Sequence, residues 1–206
     1  MSNDYSADKN TQAVISVGGT FTSEIEEAGD IDWIKVDLIK DKTYLFDLNG
    51  DFNNQNTFRY GTAITGFYDQ KGDIKSEGDY GGLYASQAAY QPSISGSYFV
   101  GVKASYFDAI GSYTLNVKEV NDEYSQDANT TGKIEIGSSI NGAFQWEDDV
   151  DWVKIDVIQG NIYIVKIEGE NINASIGNNI YSVSGDYQYV SDFEVWKPNK
   201  SGTYYL

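Results

Sequence analysis

The chain has 206 residues, of which 31 are acidic and 14 basic, for a formal net charge of −17. It contains no cysteine and no histidine, which excludes disulfides, thiolate metal sites, cysteine nucleophiles and every Ser-His or Cys-His dyad. The negative field repels nucleic-acid phosphates and anionic membranes and attracts divalent cations, although the same excess of acid also serves plain solubility.

Aromatics make up 15% of the chain, tyrosine leading with 17, and together with threonine, valine, isoleucine and glycine they favour strands and turns. The first turn signal is Gly18-Gly19. Next comes alternation of period two: Ile34, Val36 and Leu38 point one way, Lys35 and Asp37 the other. Asp41-Lys42 marks a turn, and Tyr44, Phe46 and Leu48 then alternate with Leu45 and Asp47. Such alternation marks half-buried antiparallel strands. Lys71-Gly72 and Ser95-Gly96 mark further turns. Residues 81–91, GGLYASQAAYQ, break the alternation and read as a loop or a short helical turn. A last strand is expected at residues 112–117. Short strands at roughly ten-residue spacing indicate an all-β sandwich.

The chain then repeats itself. DIDWIKVD at 30–37 returns as DVDWVKID at 149–156, 119 residues later. Without gaps, residues 3–50 align with 122–169 at 15 identities in 48 positions, among them Tyr5/Tyr124, Gly18/Gly137, Trp33/Trp152 and Tyr44/Tyr163. The match resumes at FYDQKGDI with IYSVSGDY and at PSISGSYFV with PNKSGTYYL, which makes the only two prolines equivalent. A period near 120 is too long for a solenoid or a propeller blade, so it means two tandem domains, 1–118 and 119–206. The second copy reaches Leu206 without the material that forms the last hairpin of the first. A sandwich lacking a strand exposes backbone and apolar surface. Three explanations stand open: a fragment boundary, which is preferred, completion by a later segment of a longer parent, or a strand donated by a neighbouring chain.

An ordered set of motifs carries a resemblance: NDYS at 3–6, VGGTFTSEIEEAGDIDW at 17–33, TYLFDL at 43–48, YDQKG at 68–72, SGSYFV at 95–100 and GSYTLNV at 111–117. The sequence resembles the bacterial pre-peptidase C-terminal domain, which is similar in fold to the collagen-binding modules of clostridial collagenases. The resemblance implies two tandem jelly-roll-like antiparallel β-sandwiches, the second lacking its C-terminal hairpin. It implies a non-catalytic accessory or structural module of a secreted or surface bacterial protease, hydrolase or adhesin, extracellular in location. Some relatives bind calcium where the incoming linker meets the acidic turn before the aromatic strand. The matching positions are Glu119, Asn121, Asp122, Asp149 and Asp151 in the second copy, and Asn3, Asp4, Asp30 and Asp32 in the first. Calcium takes six to eight oxygens, and aspartates two apart on an extended segment project to one side. The competing reading is that these acids start a strand and stay solvated.

Trp33 and Trp152 fall on the polar phase of their strands; covering a sandwich edge or packing under the linker is expected of them before ligand stacking. Trp146 and Trp196 are special to the second copy, where the first has Glu27 and Tyr90. Tyr80, Tyr84, Tyr90, Tyr106 and Phe107 lie in loop-like stretches, and Tyr80, Tyr84, Tyr106 and Phe107 are the candidates for binding an extracellular glycan or peptide, the alternative function. Catalysis is not expected, because acids adjacent in a turn do not flank a sugar from two sides.

Overall fold

The computed structural model describes residues 4–52, 62–77, 87–104, 110–146, 149–168, 179–182, 187–189 and 195–206. They form strands and turns; no described residue is helical, so no helix is long and apolar enough to cross a membrane. The sheets are mostly antiparallel, consistent with a β-sandwich. The chain divides into two compact units, Met1–Asn121 and Asp122–Leu206.

Unit 1 holds eight described strands: β1 (Thr20–Ile25), β2 (Ile31–Leu38), β3 (Thr43–Phe52), β4 (Thr62–Tyr68), β5 (Ile74–Glu77), β6 (Gln87–Tyr90), β7 (Gly96–Ala104) and β8 (Gly111–Val120). They make two four-stranded sheets, in the orders β1-β8-β3-β6 and β2-β7-β4-β5. One core draws on both sheets. Ile25, Tyr44, Phe46, Leu48, Tyr113, Leu115 and Val117 come from the first, and Ile34, Val36, Leu38, Ile64, Phe67, Val100 and Val102 from the second. The alternation read from residues 34–38 and 44–48 is the face that packs inward. Asp32 shares that inward phase with Ile34, so the strand carries a carboxylate into the buried layer, where it is fully covered.

Residues 87–90 differ from the sequence expectation: they form β6, paired with Tyr44–Asp47 of β3. The run QAAY has little strand preference of its own. Pairing decides it, with Ala88 and Tyr90 packed on the core and Tyr90 stacked on Phe67 at 4.6 Å. Residues 81–86 lie outside the described residues.

Unit 2 contains β9 (Lys133–Ile134), β10 (Lys154–Val157), β11 (Tyr163–Ile164), β12 (Asn179–Ser182), β13 (Tyr187–Tyr189), β14 (Val195–Trp196) and β15 (Gly202–Tyr205). The five-stranded sheet runs β13-β12-β15-β10-β9, and β11 pairs with β14. Several of its pairings repeat those of unit 1 in register. Lys35 faces Phe99, and its counterpart Lys154 faces Tyr205; Tyr68 faces Phe99 as Tyr181 faces Tyr205; Tyr44 faces Tyr90 as Tyr163 faces Trp196. The parallel pairing of β9 with β10 repeats the Val14–Lys35 bridge.

Turn chemistry repeats too. The Ile39 amide donates to the Tyr44 hydroxyl at 3.1 Å and the Ile158 amide to that of Tyr163 at 2.8 Å. Ser95 and Ser201 accept from Lys40 and Gln159, each at 2.8 Å. Asp41 takes φ 59° where the second copy has Gly160 at 87°, so the turn demands a left-handed residue in both copies. Unit 2 has no strands corresponding to β1 and β8 among its described residues. Among its described residues the buried core cluster is Ile155, Val157, Ile180, Trp196 and Tyr204.

Trp33 is buried although it lies on the outward phase. It crosses the face of the sheet at Gly101, its partner on β7, and stacks on Tyr68 at 4.1 Å. Trp152 packs likewise on Tyr205 at 5.2 Å. A methyl at Gly101 would fall on Thr65 Oγ1 and crowd Tyr68 and Trp33. Gly101→Val is therefore expected to destabilise unit 1 by about 1–3 kcal/mol. Urea unfolding followed by tryptophan fluorescence measures this, and an unchanged midpoint would show that the indole does not rest on that glycine.

Candidate functional site

Each unit gathers three aspartates whose ligand oxygens lie within 4.8 Å of one another: Asp4, Asp30 and Asp32 in unit 1, and Asp122, Asp149 and Asp151 in unit 2. The turn before the core strand places the second and third acids. The Asp30 amide donates to the Glu27 carbonyl at 3.2 Å, and the Asp149 amide to that of Trp146 at 3.4 Å. The leading segment brings the first acid. In unit 1 the Tyr5 amide donates to Asp32 Oδ1 at 3.3 Å, which holds Asp4 beside the strand. A tight turn follows in both copies, with Asp8 accepting from the Asn10 amide at 2.6 Å and Asp127 from the Asn129 amide at 2.7 Å. The first acid is not at the same place in the alignment: Asp4 matches Glu123, and Asp122 matches Asn3. The acid is retained within one residue while the exact position shifts.

Electrostatics mark both clusters as strained in charge. Burial pushes the Asp32 carboxyl up to about 6, with Asp30 and Glu26 adding to the rise and the Tyr113 and Tyr5 hydrogen bonds opposing it. Burial likewise raises Asp151 to about 6, reinforced by Asp149, Asp122 and Glu123. Asp30, Asp122 and Asp149 are raised as well, desolvation first in each case. Two oxygens of the unit 2 cluster, Asp122 Oδ1 and Asp151 Oδ1, are buried and have no hydrogen-bond donor. An unsatisfied buried carboxylate oxygen is costly, and a hard cation is one group that satisfies several at once.

Glu119 is placed elsewhere. It lies on β8 opposite Tyr44, and its carboxylate pairs with Lys42 at 2.7 Å. Asn121 is exposed at the end of unit 1. Asn3, Tyr80, Tyr84, Tyr106 and Phe107 lie outside the described residues. Two residues of the unit 1 cluster were not read from the sequence. Tyr113 donates its hydroxyl to Asp32 Oδ2 at 2.5 Å, and Glu26 is close enough to raise that carboxyl. The Tyr113 signal was present in the GSYTL motif, and Glu26 aligns with an oxygen-bearing Gln145.

Compared with known proteins, the sequence matches no protein-family model and no curated protein.

The raised Asp32 carboxyl has a consequence for stability. Its folded-state value of about 6 lies above the ordinary 3.8, so between the two the folded chain binds more protons than the unfolded one. Stability from this group is complete below about pH 4 and is lost as pH rises through about 6. In chelator, Asp32→Asn is expected to flatten that decline, as measured by urea midpoints across the window. A slope equal to that of the unchanged protein would remove Asp32 as its source.

Proposed function

We propose that the chain is a non-catalytic accessory module of a larger secreted or surface bacterial protein, and that a calcium ion at each acidic triad fastens the leading segment of each copy to its first core strand. The observation that carries the reading is the recurrence of a three-aspartate cluster at corresponding places in two separately folded units. The resemblance to the pre-peptidase C-terminal domain supports the same reading, and so does the strand order of unit 1. Orders 1-8-3-6 and 2-7-4-5 are those expected of a jelly roll made of two Greek keys.

The donor set fits a hard divalent cation: carboxylates only, partly withdrawn from water, with two oxygens of Asp122 and Asp151 otherwise unsatisfied. Asp4, Asp30 and Asp32 would hold the ion in unit 1, and Asp122, Asp149 and Asp151 in unit 2. The ion supplies positive charge where three like charges converge. The protein's part is to hold the acids together: Tyr5 and Asp8 fix the lead of unit 1, and the turn closed on Glu27 fixes Asp30. The work done is mechanical, since the lead can no longer peel from the strand.

Extracellular modules of this kind bind calcium with dissociation constants on the order of 0.1–1 mM. At a hundredfold excess of free ion each site adds about 2.7 kcal/mol. The melting temperature is expected to be higher in millimolar calcium than in EDTA, and the difference is expected to shrink with Asp30→Asn or Asp149→Asn and to vanish with both. Calorimetric melts check this; identical melts in calcium and in chelator would end the proposal.

A further inference from the structure

The two leads place their first acid at different positions and their tyrosine at the same one. Asp4 immediately precedes Tyr5, whereas Asp122 stands two residues before Tyr124, yet Tyr5 and Tyr124 are equivalent in the repeat. The tyrosine, not the acid, is the fixed point of each lead.

In unit 1 the Tyr5 ring packs edge-on against Phe21 of β1 at 5.4 Å, and Phe21 lies 6.4 Å from the Tyr113 ring of β8. Tyr5 is half-buried against the core, and its own amide reaches Asp32 of β2. One residue therefore touches both sheets, the ring on one and the backbone on the other.

Unit 2 seats the equivalent ring differently. Ile140 stands in the place of Phe21 and offers no ring edge, while Ala13 and Ser23 become Gly132 and Gly142. Both glycines lie against the ring: a methyl at Gly132 would fall 3.1 Å from Tyr124 Cδ1, and one at Gly142 3.1 Å from its Cε2. The Tyr124 hydroxyl donates to the Asn141 carbonyl at 2.8 Å. Three surrounding positions change and the tyrosine is kept, with a seat built for it in each copy.

From these contacts we infer that Tyr5 and Tyr124 are the positioning residues of the two leads: the ring docks the segment without an ion and so delivers the first acid, Asp4 or Asp122, to the other two. The docking stands on the ring contacts; its effect on ion affinity rests on the cation reading above. An ion that meets a docked lead binds with its full affinity, and one that meets a loose lead loses affinity in proportion to the time the lead spends away.

The test uses the full chain and two readouts. In EDTA, amide exchange at residue 5 is expected to quicken by at least about tenfold in Tyr5→Ala and to stay near the original in Tyr5→Phe, which keeps the ring, with Val100 and Val102 unchanged in both. In unit 2 the hydroxyl is part of the seat, so Tyr124→Phe is expected to quicken exchange at Glu123, whose amide donates to Gln145 Oε1. That variant removes a single oxygen and carries the test if Tyr5→Ala proves unstable. Calcium titration calorimetry in an Asp149→Asn background reports on unit 1 alone; there Tyr5→Ala is expected to raise Kd about tenfold and Tyr5→Phe to restore it. Exchange equal to that of the unchanged chain in both Tyr5→Ala and Tyr124→Phe overturns the inference, and so does faster exchange with an unchanged Kd. If the unchanged chain binds no calcium, the cation reading falls, and the exchange comparison alone decides whether the ring docks the lead.

Discussion

The hydrogen bond from Tyr113 to Asp32 joins the two sheets of unit 1 at their acidic end. Tyr113 belongs to the sheet built on β8, and Asp32 to the one built on β2. A carboxylate on the inward phase of a core strand is tolerated only if its oxygens find donors, and here a phenol from across the sandwich and an amide from the leading segment provide them. One side chain therefore ties together the packing of the core, the position of the lead and the site where the acids converge. Burial first, and the contact with Asp32 next, raise the Tyr113 hydroxyl far above the usual phenol range, which favours the protonated, donating form.

The two units share turns and part of their strand pairing but differ in strand length. Tyr44 and Tyr163 occupy corresponding turns and receive the same amide, yet the strand that follows Tyr44 runs to Phe52 while its counterpart stops at Ile164. Local chemistry sets the turn in both copies, while the length of the strand that follows is not fixed by that turn. The β10–β15 pair, whose counterpart in unit 1 is β2–β7, keeps its register, and even the contact of Ser97 with Asp37 reappears as Thr203 with Asp156.

What was legible in the sequence was whatever local pattern controls. Period-two alternation at 34–38 and 44–48 marked the inward faces, and the internal repeat showed that one local structure is written twice. The two Asp-x-Asp turns were readable because the acids sit two apart beside a tryptophan. The remainder is set by partners distant in sequence. β6 was missed because QAAY becomes a strand only when β3 lies beside it. Tyr113 was missed as a site residue because its partner lies 81 positions away. Glu119 was read as part of the linker, but the pairing of β8 with β3 carries that stretch into the sheet and leaves its carboxylate on Lys42.

The central place of β8 has a bearing on how such a chain emerges from the ribosome. β1, near the beginning of unit 1, has its sheet partner in residues 111–116, almost a hundred positions later. Throughout translation of the intervening stretch, β1 has no edge to join, and one side of the nascent core stays wet. Closure must wait for the last strand to clear the exit tunnel, after which both open flanks are sealed in a single step.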